Sequence, residues 1–134
     1  MKQIFEAVRA ALSRGEDVVL CSILASSGSA PRGAGAKMAV FADGTTAGTV
    51  GGGAVEQHTQ RLAMQVHETK QPVSHGFCLA PNQVNDIGMI CGGNVTVYFQ
   101  LLTAGDLPLV EALLAALDSG ENVWLVLQLA DGCV

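Results

Sequence analysis

The sequence predicts a single α/β domain with a mixed sheet flanked by helices, and three observations carry that prediction. Hydrophobic residues make up 49% of the 134 positions and charged residues only 14%, which fits one packed core rather than a disordered chain. The apolar pattern switches from helical spacing near the N-terminus to an unbroken run at Val18–Ala25, the mark of a strand buried on both faces. Between residues 36 and 50 two strand-like runs meet at Asp43-Gly44, a strong two-residue hairpin signal.

Each element has its own local reason. Residues 3–14 place Ile4, Phe5, Val8, Ala11 and Leu12 on one helical face, and Gly15 stops the helix. In the hairpin, residues 36–42 and 45–50 form the strands, and Gly48 inside the second leaves a gap for a neighbour or ligand. A helix over 51–70 carries the stripe Val55, Thr59, Leu62, Ala63 and Val66, with Pro72 just beyond its end. His58 and His67 fall on its polar stretches and read as solvated. A strand is expected at Val73–Leu79 and another at Asn94–Leu102. In the second, Val95, Val97, Phe99 and Leu101 alternate with a more exposed Thr96, Tyr98 and Gln100. Asp106 and Pro108 open a last helix over 106–118, Gly120 closes it, and a strand Val123–Leu129 follows.

The chemistry concentrates in three glycine-rich stretches. In Gly48-Thr49-Val50-Gly51-Gly52-Gly53-Ala54-Val55-Glu56 a short strand runs into three glycines, and a helix opens out of them. Free N–H groups at a helix start attract anions, and glycines let a phosphate or carboxylate approach them. The stretch is neither a Walker loop, lacking the Lys-Ser/Thr, nor a Gly-x-Gly-x-x-Gly fingerprint. A tight packing turn is the competing reading, and Glu56 fits the helix dipole without further role. The second stretch, Ser26–Gly35, holds a lone Arg32 behind Pro31, with glycines on either side. From Ser26 to Val55 the charges are Arg32, Lys37 and Asp43, so this part of an acidic chain is locally basic and suits an anionic ligand. The third stretch, Gly88-Met89-Ile90-Cys91-Gly92-Gly93, leaves the Cys91 thiol unobstructed beside free N–H groups, which favours a thiolate. A small buried residue at a strand start is the alternative for Cys91. His75-x-x-Cys78 with Cys91 lacks the second close ligand pair that a zinc site needs.

Composition excludes other classes. Seven basic residues against twelve acidic ones give −5, and six aromatics make no stacking platform, so nucleic acid is not the expected partner. Val18–Ala25 is too short to span a membrane, and the first residues read as an amphipathic helix rather than a signal peptide. Cys21, Cys78, Cys91 and Cys133 show no disulfide spacing, and the chain is expected in the cytoplasm with reduced thiols.

Shifting the chain by 105 positions superposes residues 4–25 on 109–130 with eleven identities, among them Ala11/Ala116, Leu12/Leu117, Gly15/Gly120 and Val18/Val123. Part of that match is shared helix–turn–strand composition. Residues 106–134 therefore read as a helix–strand unit that could be a truncated repeat. Cys133-Val134 has no polar tail, which is the ending expected of the front part of a longer protein.

Taken in order, Gly28-Ser29-Ala30-Pro31-Arg32, Gly35-Ala36-Lys37-Met38, Asp43-Gly44, Gly48–Gly53 with Glu56, and Gly88–Gly93 before Val95-x-Val97 resemble the XdhC/CoxI family of molybdenum-hydroxylase maturation factors. The match covers residues 3–102 within a domain of 1–134. The resemblance implies a maturation chaperone, not a turnover enzyme. Such a protein binds the molybdenum cofactor (molybdopterin), assists its sulfuration with a cysteine desulfurase, and hands it to a xanthine-dehydrogenase-like client. A homodimer is the expected assembly. The cofactor-binding residues are then Ser29, Arg32, Lys37, Gly51, Gly52, Gly53, Glu56, Cys91, Gly92 and Gly93, with Cys91 facing molybdenum or the transferable sulfur. Many family members continue into a Rossmann-like domain, whose glycine fingerprint is absent from these residues. Two rival readings stand beside this one: a small enzyme on a phosphorylated substrate, for which the glycine-rich stretches offer no general base, and an assembly module without a ligand.

Overall fold

The computed structural model describes residues 1–28, 35–78 and 93–126. The elements are α1 (Lys2–Ser13), β1 (Val18–Gly28), β2 (Lys37–Phe41), β3 (Thr46–Gly48), α2 (Gly53–Thr69), β4 (Val73–Cys78), β5 (Gly93–Leu102) and α3 (Leu107–Asp118), the last preceded by a 3-10 turn at Ala104–Asp106. The strands form one sheet in the order β3-β2-β1-β5-β4. Helix α2 packs on one face, and α1 with α3 packs on the other.

The central strand shows why the layers form. Val19, Cys21 and Ile23 of β1 join Val55, Ala63 and Val66 of α2 in one cluster. Val18 and Leu20 point the other way, toward Phe5, Val8 and Leu12 of α1 and Val110 and Leu114 of α3. A period of two thus feeds two cores from one unbroken apolar run, and each side chain fully buried contributes about 1.5–3 kcal/mol.

The α/β class, the hairpin and the flanking helices are as the sequence predicts. The sheet itself is antiparallel at every described pairing rather than mixed. Parallel neighbours need a crossover connection. The helical crossover here, α2, carries the chain from the edge strand β3 to the opposite edge strand β4, so the strands it joins never pair.

Local signals act where expected. Gly44 takes φ 89° in the hairpin turn, where Thr45 donates to Asp43 Oδ1 from both its N–H (3.0 Å) and its hydroxyl (2.6 Å). These bonds hold the Asp43 carboxyl below its usual range. Gly48, at φ 82°, is filled by a neighbour: a Cβ there would meet Ile4 Cδ1 at 2.5 Å and the Lys37 carbonyl oxygen at 2.6 Å. The α1 and α3 ends match in geometry as well as sequence. Gly15 (φ 78°) and Gly120 (φ 76°) each follow the helix, with Glu16 N–H donating to the Ala11 carbonyl and Glu121 N–H to the Ala116 carbonyl. Both are glycine-closed Schellman ends.

Three expectations change. His67 is buried, not solvated, with Nε2 2.9 Å from the Val40 carbonyl oxygen, because the last turn of α2 lies against the sheet. Tyr98 is buried although its face of β5 reads as polar, because β5 is an inner strand. Residues 123–126 are not in a strand. Trp124 is 91% and Val126 83% exposed, while Leu125 packs against the α1–α3 cluster, so the apolar run has no sheet neighbour among the described residues. Residues 127–129 of that run lie outside the described residues.

Cys21 is fully buried, and burial pushes its thiol far above the usual range. Native protein treated with iodoacetamide is expected to leave Cys21 unlabelled, with labelling appearing only in denaturant. Native labelling at Cys21 would mean that the α2-side core opens on the timescale of the reaction.

Candidate functional site at the glycine-rich end of the sheet

Strand direction sorts the glycine-rich stretches to one end. Strand β1 leaves the α1 side at Val18 and finishes at Gly28, β2 starts at Lys37, β3 finishes at Gly48 just before the triplet, and β5 starts at Gly93. With all pairings antiparallel, Gly28, Lys37, Gly51–Gly53 and Gly93 fall at the same end, opposite the Asp43-Gly44 turn. They do not share a level. Lys37 pairs with Ser22 and Tyr98 pairs with Ser22, whereas Gly28 pairs with Gly93. Gly93 thus leads the Lys37 level by roughly 17 Å, at about 3.4 Å per residue. Ser29, Arg32, Cys91 and Gly92 lie outside the described residues.

At the triplet, Gly51, Gly52 and Gly53 all have positive φ (132°, 76° and 60°), which explains three glycines in a row. Gly52 pairs φ 76° with ψ −174°, a region essentially reserved for glycine. A Cβ on Gly52 would meet no described atom within 4 Å. No side-chain hydrogen bond caps α2 among the described residues. The turn is tied internally: the Thr49 hydroxyl accepts from Gly51 N–H at 3.0 Å and donates to Glu56 Oε1 at 2.5 Å. Glu56 therefore acts on Thr49, holding the strand end against the helix start. Its negative charge sits where an incoming anion would need a compensating cation.

Lys37, at the start of β2, lies at the same end of the sheet but on the α1–α3 face, opposite α2. Its ammonium donates to Ser22 Oγ at 3.0 Å across the β1–β2 pair, and burial lowers its pKa below 10.5. The sequence reading passed over Ser22 and Thr49. The available signal for Ser22 was a hydroxyl in the middle of a run otherwise buried on both faces.

A separate groove of about 370 Å³ lies between the C-terminal part of α2 and β4, lined by Leu62, Val66, Pro72, Val73 and His75 among others. It carries no lysine or arginine, lies toward the start of β4, and does not suit an anion. Among the described residues no group of His, Cys, Asp and Glu could hold a metal ion, and no helix is long and apolar enough to cross a membrane.

The arrangement is that of a three-layer α/β/α domain whose described glycine-rich segments gather at one end of the sheet. The profile of the XdhC and CoxI family matches residues 11–77, half of the sequence, and the chain belongs to that family. It is 36% identical over 83 residues to YqeB of Escherichia coli (strain K12), described as uncharacterized, spanning 61% of this chain and 15% of YqeB. It also resembles a Bacillus halodurans protein whose crystal structure is described as that of a xanthine dehydrogenase. The TM-score is 0.72 at 22% identity, over 87% of this chain and 35% of that one, which shows a shared fold. The chain thus spans well under half the length of either relative.

Proposed function

We propose that this domain is the ligand-binding unit of a molybdenum-hydroxylase maturation factor. It binds the molybdenum cofactor at the glycine-rich end of the sheet, assists its sulfuration with a cysteine desulfurase, and passes it to a xanthine-dehydrogenase-like client in the cytoplasm. In this reading the protein is an accessory factor rather than an enzyme, and it works as a homodimer. Family membership supports the reading, and the observation that carries it is the triplet: three positive-φ glycines, with no described atom near a Cβ on Gly52, at the uncapped start of α2. Those groups fit the terminal phosphate of molybdopterin. The bound cofactor would supply the metal and its transferable sulfur. Ser29, Arg32, Gly92 and Gly93 complete the proposed site, and Cys91 is assigned to the sulfur or metal side because soft thiolates suit such partners.

The test is molybdenum and pterin content of protein purified from cells that make the cofactor, read by elemental analysis and pterin fluorescence. Bound pterin is the expected result. Arg32→Ala should weaken retention by about 1.5–3 kcal/mol, the worth of a charge-assisted hydrogen bond, with the melting temperature unchanged. Cys91→Ser should keep the pterin but fail to deliver sulfurated cofactor to the client. Protein free of pterin that still activates the client would instead favour a ligand-free assembly module.

A further inference from the structure

The two faces of the sheet differ in one respect that packing alone does not explain. On the α2 face the three inner strands carry apolar rows, Val40–Val19–Leu101, Met38–Cys21–Phe99 and Ile23–Val97, the last continued on the edge strand β4 by His75. On the α1–α3 face the first row, Phe41–Val18–Leu102, is apolar, and the second, Ala39–Leu20–Gln100, ends in a half-buried glutamine. The next row is Lys37–Ser22–Tyr98, continued by Ser74 on β4. Ser22 and Tyr98 are 2% and 3% exposed, so the row is polar and yet buried at its centre.

Lys37 sits in this row without a counter-charge. Lys2 pairs with Asp118 and Lys70 with Asp17, both at the surface. Among the described residues no carboxylate lies at ion-pair distance from Lys37, and its hydrogen-bond acceptor is the neutral Ser22 hydroxyl. Desolvating a cation beside a neutral partner leaves much of the burial cost unpaid.

We infer that Lys37 and Ser22 form an oxyanion subsite, in which Lys37 supplies the charge and Ser22 is the positioning residue that aims its ammonium. The ligand group is a tetrahedral oxyanion, either the phosphate of an organic ligand or a free metal oxyanion. The inference rests on the reading that this end of the sheet takes an anionic ligand, and adds to it the residue that orients the cation. The groups flanking Lys37 in the sheet are Ser22 on β1 and, beyond it, Tyr98 on β5. The charged form of Lys37 is the binding form. Affinity should be full at low pH and fall as pH rises through the lowered pKa, ahead of the 10.5 of a free lysine.

Sulfate is the probe, since its own charge is constant between pH 6 and 10, and binding is read by calorimetry on the whole chain. Lys37→Met should lose at least tenfold in sulfate affinity while melting at or above the wild-type temperature, because the desolvated charge is gone. Ser22→Ala should lose severalfold and move the pH fall-off to lower pH, since the hydroxyl that favours the ammonium is missing. Ser22→Thr should restore both. Competition by phenyl phosphate but not molybdate assigns the subsite to an organic phosphate, and the reverse assigns it to a metal oxyanion. Wild-type protein that binds sulfate equally well after Lys37→Met overturns the subsite and leaves the anionic-ligand reading standing. An unchanged pH profile in Ser22→Ala overturns the positioning role. If wild-type protein binds neither sulfate, phenyl phosphate nor molybdate, the subsite and the broader reading fall together.

Discussion

Gly48→Ala is expected to lower the unfolding free energy by about 2–5 kcal/mol. A left-handed backbone costs a non-glycine residue about 1–2 kcal/mol, and overpacking adds about 1–3. Both apply, because Gly48 has φ 82° and its added Cβ would lie 2.6 Å from the Lys37 carbonyl oxygen and 2.5 Å from Ile4 Cδ1. The Ile4 contact is with the far end of a flexible side chain and can yield. The carbonyl belongs to β2 and cannot move without breaking the ladder. Urea titration of Gly48→Ala alone and combined with Ile4→Ala separates the two, and the double variant should fail to recover the loss. A cost below about 1 kcal/mol would mean that β3 lifts from the sheet edge freely, and that the strand does not fix the triplet.

Gly52→Ala should act differently. Its backbone lies in a region that costs about 1–3 kcal/mol for other residues, but no described atom lies within 4 Å of the added methyl. Strain without a clash predicts a folded protein of reduced stability whose new methyl stands in the open space at the start of α2. Gly44→Ala is the control, because Gly44 is also left-handed and unobstructed but belongs to the hairpin turn at the other end. Both variants should melt earlier by similar amounts. Only Gly52→Ala should lose oxyanion affinity, by tenfold or more, which corresponds to at least about 1.4 kcal/mol. Equal affinity in the two variants would remove the triplet from the ligand site and leave it as a packing turn.

The sequence carried most of the frame because the frame is set by short-range patterns. Val18–Ala25 announces a doubly buried strand by composition alone, Asp43-Gly44 fixes a turn, and Gly15 and Gly120 mark helix ends through a backbone only glycine adopts easily. What escaped depends on which elements become neighbours. Tyr98 is polar by type, and only the placement of β5 between β1 and β4 buries it. His67 lies on a polar stretch of its helix, and only the approach of α2 to Val40 gives it a carbonyl partner. The apolar stretch at 123–126 has strand composition, but a strand needs a neighbour and none of the described strands pairs with it. At the site the glycines were legible, since their residue type records the backbone they need. The Ser22–Lys37 bond was not, because it joins residues that only the β1–β2 register brings side by side.

The central position of β1 also has a consequence for the order in which the protein is made. Its two partners are β2, which follows it closely, and β5, whose Leu102 pairs back to Val18. On the ribosome β1 emerges well before β5, and until β5 follows it has a neighbour on one side only. The apolar side chains of both faces, Cys21 among them, wait until the chain has been extended past β5 before the sheet can close over them. Helix α2 is complete by then and already holds one face. The nascent chain thus spends its growth as a half-sheet with an open edge along its most hydrophobic strand, the state in which strands from different chains pair most readily.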